Sequence, residues 1–289
     1  MTTERIATFR DEASLAPGSA RSVLFTMLGE LVWPTGTPVW TAALLQLFRS
    51  LGIEEQAARQ AIARAAASGW IEPRRQGREV AWALTPQIVE IFEAGSARVY
   101  SLSDGFSAWD GTWLTLNITV PSSHRARRRP LYAGLTWAGF GNPAPGLWLS
   151  PHTERGAEVG GLIAELGLTE HTLAVAGPLA GFGIDAGAVV ARGWDLDELR
   201  THYRRLQRAL DHLSPAPGEE TLHAHIQMLG EWRRLPRMDP QLPEALLPDW
   251  IGRRVARRIE ELRDSRSAAV HAYFAEINAA AVPAPDALG

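Results

Sequence analysis

Residues 53–85, IEEQAARQAIARAAASGWIEPRRQGREVAWALT, constrain this chain more than any other stretch. Glu54 and Glu55 stand where the dipole of a starting helix favours acids, and Gly69 can end that helix because it tolerates a left-handed backbone. Helical spacing puts Ala58, Ala61, Ile62 and Ala65 on one side and leaves Gln56, Arg59, Gln60, Ala63 and Arg64 on the other. Two short strands are expected at 70–73 and 79–84, joined by a tip that reads Arg74-Arg75-Gln76-Gly77-Arg78. A helix followed by a basic hairpin is the layout of a winged helix-turn-helix, whose helix enters a major groove while the hairpin reaches the neighbouring phosphates. Arg pairs with guanine edges and Gln with adenine edges. Gln56, Arg59, Gln60 and Arg64 are therefore candidate base readers, and Arg74, Arg75 and Arg78 candidate phosphate contacts. The plainer alternatives are a solvated helix face and a charged surface turn; the succession of helix and hairpin favours DNA.

The rest of the chain divides around this unit, and the fold class expected is a multidomain α+β protein. Residues 1–18 read as a disordered lead-in. A helix over 19–33 carries Val23, Leu24, Met27, Leu28 and Leu31 on one face. After the break from Pro34 to Pro38, a second helix over 40–51 repeats the pattern, and Gly52 fits the tight turn before the arginine-bearing helix. With a connecting helix over 86–100, these elements make a domain over 19–104. Strands expected at 112–120, 140–142, 146–151 and 172–176, with helices at 122–139 and 157–166, follow the β-α-β-β-α-β order of a ferredoxin-like domain over 105–190. A helical domain over 191–278 opens at Asp195, a capping residue, and 279–289 reads as a disordered tail.

Composition removes several function classes. There is no Cys, which excludes disulfides, thiolate catalysis and cysteine-bound zinc. All 29 basic side chains are Arg, so any phosphate contact is made by guanidinium. The net charge of −3 is a poor guide to nucleic-acid binding, because a local patch decides; five arginines lie between Arg59 and Arg78 against Glu72 and Glu79. The N-terminus does not read as a signal peptide, and the apolar run 172–184 is too short and too rich in Gly and Pro for a span of about 20 residues. A cytoplasmic protein without membrane association is expected. No nucleophile–base pair, metal cluster or cofactor motif is visible, so neither an enzyme nor a cofactor is expected. The glycines Gly177, Gly181 and Gly183 lack the order of a phosphate loop. His223 and His225 point to different faces of one helix and read as surface positions. The cluster Arg125, Arg127, Arg128 and Arg129 leaves four readings open: an extended DNA footprint, an anion site, a dimer interface or a solvated helix face.

The phrases ARQAIARAAASGWI, GREVAWALT, WDGTWLTLNITVP, GFGNPAPGLWLSP, GWDLDELRTHY and EWRRLPRMDPQLPEALLPDW, in this order, resemble the phenylacetic-acid catabolon repressor (PaaX) family over 20–275. The resemblance implies a bacterial repressor of a catabolic operon, released from its double-stranded operator by an aryl-acyl-CoA effector such as phenylacetyl-CoA. A homodimer on an inverted repeat follows from two-fold symmetry. Trp232, Arg233, Arg234 and Trp250 supply the aromatic and cationic groups such an effector needs; a salt-bridge network with Glu231, Asp239 and Glu244 is the alternative use of the arginines. The chain departs from the resemblance at Pro130, which delays or kinks the basic helix, and at Gly230, where a different acyl group could be read. The middle domain also resembles small ferredoxin-like CRISPR-associated nucleases. Where those carry a metal-binding Asp this chain has Asn117, a poor hard-cation ligand, which disfavours metal-dependent DNA cleavage.

Overall fold

The computed structural model describes residues 15–16, 18–104, 109–180 and 183–283. Most of the expected lead-in, residues 284–289 of the expected tail, and Gly181 lie outside these residues. The N-terminal region holds α1 (Ala20–Met27), continued by a π-helical turn at Leu28–Val32, then β1 (Val39–Trp40), α2 (Thr41–Ser50), α3 (Glu55–Ala67), β2 (Ile71–Gln76), β3 (Glu79–Leu84) and α4 (Pro86–Asp104). The middle region holds β4 (Trp113–Ile118), α5 (Arg128–Trp137), β5 (Gly141–Ala144), β6 (Leu147–Ser150), α6 (Gly156–Glu165), β7 (Thr172–Gly177) and α7 (Ala186–Gly193). The C-terminal region is helical, with α8 (Leu196–Asp211), α9 (Glu219–Trp232) and the 30-residue α10 (Ile251–Ala280). Among the described residues no helix is long and apolar enough to cross a membrane.

The two sheets are small and antiparallel, in the orders β1-β3-β2 and β5-β6-β4-β7. Side chains alternate across β4, so Leu116 and Ile118 face one side. They close a core with Leu131 and Leu135 of α5 and Val159 and Ile163 of α6. Trp113 and Leu149 belong to a different cluster, with Val189 and Val190 of α7 and with Leu242 and Leu246.

Helix α1 is buried on all sides. Val23, Leu24, Met27, Leu28 and Leu31 fit the expected face, with Leu24, Met27, Leu28 and Leu31 fully buried, but Ser22, Phe25, Thr26 and Glu30 are buried too. A helix buried on more than one side needs partners on each of them. Helix α1 packs against α3 on the N-terminal side and against α9 from the far end of the chain. One core cluster therefore runs from Leu24 to Ile277. The buried Glu30 ties it together: its Oε1 accepts from His225 Nε2 at 2.9 Å and its Oε2 from Arg263 Nε at 3.2 Å. The Glu30 carbonyl lies 2.9 Å from His271 Nε2.

Several elements differ from the expectation, each for a local reason. The hairpin tip is shorter than expected, because Arg74, Arg75 and Gln76 pair with Ala81, Val80 and Glu79 and only Gly77-Arg78 turns. Gly77 takes φ 58°, as a glycine at the first position of a two-residue hairpin turn does. The basic stretch 122–139 is not one helix. Ser122–Arg127 is a 3₁₀ turn broken at His124, and α5 starts at Arg128. Pro130 then falls in the first turn of α5, where a backbone N–H has no helical partner to lose. Helix α7, not anticipated from the sequence, follows the last of the glycines, and Asp185 caps it by accepting from Ala188 N–H at 2.7 Å. His225 is completely buried on Glu30, and His223 is held half-buried by Ser50 Oγ at 2.7 Å, so the pair are not surface positions.

Burial alone would raise the carboxyl pKa of Glu30, but the hydrogen bond from His225 and the charge of Arg263 bring it below the ordinary value. A carboxyl depressed in the folded state stabilises above its unfolded pKa and loses that contribution as pH falls through the folded one. Glu30→Gln is therefore expected to lower stability at pH 7 by roughly 2 kcal/mol, as for a charged hydrogen-bond partner. The difference from wild type should shrink as pH drops below 4.5. Urea unfolding of both proteins at neutral and acid pH measures this; a deficit independent of pH would mean that only packing was changed.

Candidate functional site

Helix α3 is positioned by the way its neighbours end. At Gly52 (φ 73°) the N–H bonds Arg49 O, and the Ile53 N–H bonds Phe48 O. At Gly69 (φ 70°) the N–H bonds Ala66 O, and the Trp70 N–H bonds Ala65 O. Both are Schellman ends, so α2 turns sharply into α3 and α3 sharply into β2. Ala58, Ala61, Ile62 and Ala65 are buried beneath α3, as the spacing predicts. Gln56, Arg59, Gln60 and Arg64 are all exposed, as are Arg74, Arg75 and Arg78 on the hairpin. Arg59 pairs with Glu55 at 2.8 Å and Arg74 with Glu72 at 2.6 Å. Exposed pairs of this kind contribute little, so either guanidinium can exchange its carboxylate for a phosphate at small cost.

Strand β1, which pairs with β3, is held from the other end of the chain. Asn278 of α10 accepts from Trp40 N–H at 3.0 Å and donates to Pro38 O at 3.1 Å. Arg74, Arg75 and Gln76 line a cleft of about 510 Å³ whose opposite wall is Phe274 and Asn278. The far end of α10 thus holds β1 and faces the hairpin across this cleft.

Trp232, Arg233, Arg234 and Trp250 do not share one cavity. Trp232 and Arg233 line a cavity of about 130 Å³ at the junction of α1, α4, α9 and α10. Arg233 is buried, donates to Ser22 Oγ at 2.7 Å and lies 4.8 Å over the ring of Phe25. Arg234 pairs with Glu231 at 3.3 Å and lines a separate groove with Gly230. Trp250 is committed elsewhere: its Nε1 and the Tyr203 hydroxyl both donate to Asp239 Oδ2, at 2.9 and 2.8 Å. Burial, with the adjacent Asp239 charge, raises the Tyr203 phenol well above its usual range. Of the anticipated arginine network the Arg234–Glu231 pair forms, whereas Asp239 holds Tyr203 and Trp250, and Glu244 binds Arg253.

The spacing of residues points to little of this cavity. Its walls are Phe25 and Trp33 from the α1 segment, Phe92 and Tyr100 from α4, and Glu30 and Arg263. A signal is present in α4, where Phe92, Gly95, Ser96 and Val99 follow helical spacing, with two small residues inside an otherwise bulky stripe.

The remaining candidates are structural in their contacts or exposed. Arg127 donates to the carbonyl of Leu166 at the end of α6, and Arg128 to Val120 O at 3.3 Å, while Arg125 and Arg129 are exposed. Asn117 is exposed on β4, between Leu147 and Leu173. Among the described residues no group of three His, Asp or Glu is placed to hold a metal ion.

Comparison with known proteins agrees along the whole chain. The family profile described as PaaX-like protein matches residues 19–88, that of the PaaX protein central Cas2-like domain residues 107–189, and that of the PaaX-like protein C-terminal domain residues 194–276. A curated relative, transcriptional repressor PaaX of Escherichia coli (strain K12), is 27% identical, the match covering 98% of this chain and 93% of that protein. Among solved structures, the uncharacterized protein Rv0674 from Mycobacterium tuberculosis has a similar fold, with a TM-score of 0.60 at 19% identity, over 91% of this chain and 98% of that one. With its N-terminal, central and C-terminal regions each matched in order, the chain belongs to the PaaX family.

Proposed function

We propose that this protein is a transcriptional repressor of a catabolic operon for phenylacetate or a related aromatic acid. It binds double-stranded operator DNA as a homodimer and is released by an aryl-acyl-CoA effector such as phenylacetyl-CoA. The observation that carries the DNA-binding part is the exposed face of α3 with Gln56, Arg59, Gln60 and Arg64, leading through the Gly69 turn into a hairpin that exposes Arg74, Arg75 and Arg78. In this reading residues 19–104 act as a winged helix-turn-helix, with α3 in the major groove and β2–β3 as the wing. The central region, 105–190, is a ferredoxin-like scaffold, and 191–278 a helical domain that responds to the effector through the cavity lined by Trp232 and Arg233, with Arg234 and Trp250 outside it. The relative named a transcriptional repressor and the three matched profiles support the repressor role. A homodimer would set two α3 helices on an inverted repeat.

Replacing Arg74, Arg75 and Arg78 together with Ala should leave up to three phosphates without a guanidinium partner. The slope of log affinity against log salt is then expected to fall by about 0.9 for each phosphate no longer neutralised. A salt series by gel shift, on duplex DNA selected from a random pool for tight binding, reads this directly. An unchanged slope and affinity would remove the wing from the interface.

Release is expected from the thioester and not from its parts. Phenylacetyl-CoA titrated into the protein–DNA complex should weaken binding, while free CoA and phenylacetate at equal concentration should not. Each tenfold weakening requires the ligand to prefer the DNA-free state by about 1.4 kcal/mol. Fluorescence anisotropy of labelled operator follows the change; equal anisotropy with and without the thioester would exclude this effector.

A further inference from the structure

Helices α8 and α10 pack against each other and run parallel. At their starts Arg200 lies 5.5 Å over the ring of Trp250, and Tyr203 meets that ring edge-on at 5.9 Å. Just past the end of α8, Leu213 O accepts from Arg266 at 3.2 Å. This register sets Arg204 level with Arg254 and Arg208 level with Arg258. All four are exposed, as is Arg257. Four residues of helix rise about 6 Å, so the two helices present guanidiniums in two rows at that interval.

The rows lack the mixed charge of an ordinary solvated helix face. Three and four residues from Arg204 stand Arg200, Thr201, Gln207 and Arg208; the same places around Arg254 hold Trp250, Ile251, Arg257 and Arg258. Neither arginine has an acid in reach along its own helix. Arg200 and Arg258 pair with Asp197 and Glu261, but Arg204, Arg208 and Arg254 form no ion pair among the described residues. They rest on backbone: Arg208 donates to Arg204 O at 3.3 Å and Arg254 to Asp249 O at 3.4 Å. Like charges four residues apart cost a helix stability, and a polyanion would relieve that cost. The crowding is felt at Arg266, whose guanidinium is lowered by burial and by the charge of Arg258. Against Asp197, Asp211 and Glu261 this face carries six arginines, so it is cationic in a chain of net charge −3.

The chemistry of the rows selects the partner. Large apolar side chains that are exposed, such as Leu173, Val175 and Ile184, lie elsewhere. A protein partner needs apolar anchors at the centre of its interface. A nucleic-acid backbone needs charge alone, and its phosphates advance roughly 3.4 Å each along a strand, about half the interval of the rows. Arg254 is separated by about 36 Å of helix from Asn278, which lines the cleft beside the hairpin.

We propose that the paired arginine rows of α8 and α10 are a second nucleic-acid surface, which holds the phosphate backbone of duplex DNA outside the half-site on α3 and without regard to sequence. This goes beyond the repressor reading, which needs only α3 and the hairpin.

The test uses the full-length protein and a mixed-sequence duplex of roughly 60 base pairs, so that no operator is required. The starting protein carries Arg74→Ala, Arg75→Ala and Arg78→Ala, which silence the hairpin. Adding Arg204→Ala, Arg208→Ala and Arg254→Ala should weaken binding at least about tenfold at low salt. The slope of log affinity against log salt should fall by up to about 2.7, or about 0.9 for each phosphate released. The three sites are exposed and Ala favours helix, so circular dichroism should not change. Lys at the same three sites should keep most of the slope, because a point charge also binds phosphate. No duplex binding by the starting protein, or equal affinity and slope with and without the three added Ala substitutions, overturns the proposal. A Lys variant as weak as the Ala variant also overturns it, because the arginines would then be structural. So does a starting protein that holds single-stranded RNA through these arginines and leaves the duplex unbound. Loss of binding on adding the three substitutions, with no change from the hairpin substitutions relative to wild type, supports the rows and removes the wing instead.

Discussion

Everything in this molecule turns on the burial of α1 from all sides. The helix belongs by sequence to the N-terminal unit, yet its far side is covered by α9, some 200 residues later. Such a helix cannot be satisfied by the N-terminal unit alone, and the C-terminal helices complete its core. Glu30 sharpens the requirement. A carboxylate this deeply buried is tolerable only with partners, and His225 and Arg263, which hold it, both come from the C-terminal region. The arginine-bearing helix α3 and the helices that surround the aromatic cavity therefore bear on opposite sides of one element. A change at either site has a short path to the other through packed side chains and through a π-turn that is an irregular piece of backbone.

The central sheet is attached to this body through an apolar cluster, Trp113 and Leu149 with Leu242 and Leu246, and through polar contacts. Arg98 of α4 forms an ion pair with Glu158 of α6 at 3.5 Å and stacks on Trp137 at 4.5 Å. Arg155 donates to Gln241 Oε1 at 2.6 Å, and Gln241 Nε2 donates to Ser101 Oγ at 2.9 Å. His152 Nε2 lies 2.8 Å from Pro240 O. Gln241 takes a left-handed conformation, φ 57°, to reach both neighbours. These buried bonds hold the segment after α9 between the sheet and α4. They give the middle region a defined place on the helical body while its own core stays separate.

Much of this is legible in the sequence because it is local. The apolar spacing in α3, the Gly52 and Gly69 ends and the Asp195 cap are each decided within a few residues. So is the late start of α5 at Arg128, two residues before Pro130. What escapes a sequence reading is set at long range. No spacing rule tells that Phe25 and Thr26 meet a second partner, or that His225 is a core residue whose function is to hold Glu30. Trp250 and Trp232 look equivalent as sequence, but the first is consumed by Asp239 and the second lines a cavity. Arg74 and Arg75 suggest a turn because consecutive arginines resemble loop; cross-strand pairing with Ala81 and Val80 makes them strand residues.

We propose that the arginine-bearing face of α3 and the aromatic cavity, which bear on two sides of α1, are thermodynamically linked. Linkage is reciprocal: the factor by which ligand weakens DNA binding must equal the factor by which DNA weakens ligand binding. Calorimetric titration of phenylacetyl-CoA into the free protein and into the protein–operator complex gives the second factor, and operator titration with and without the thioester gives the first. Two equal factors well above one are the predicted result. A thioester that binds free and DNA-bound protein with the same affinity would contradict the account.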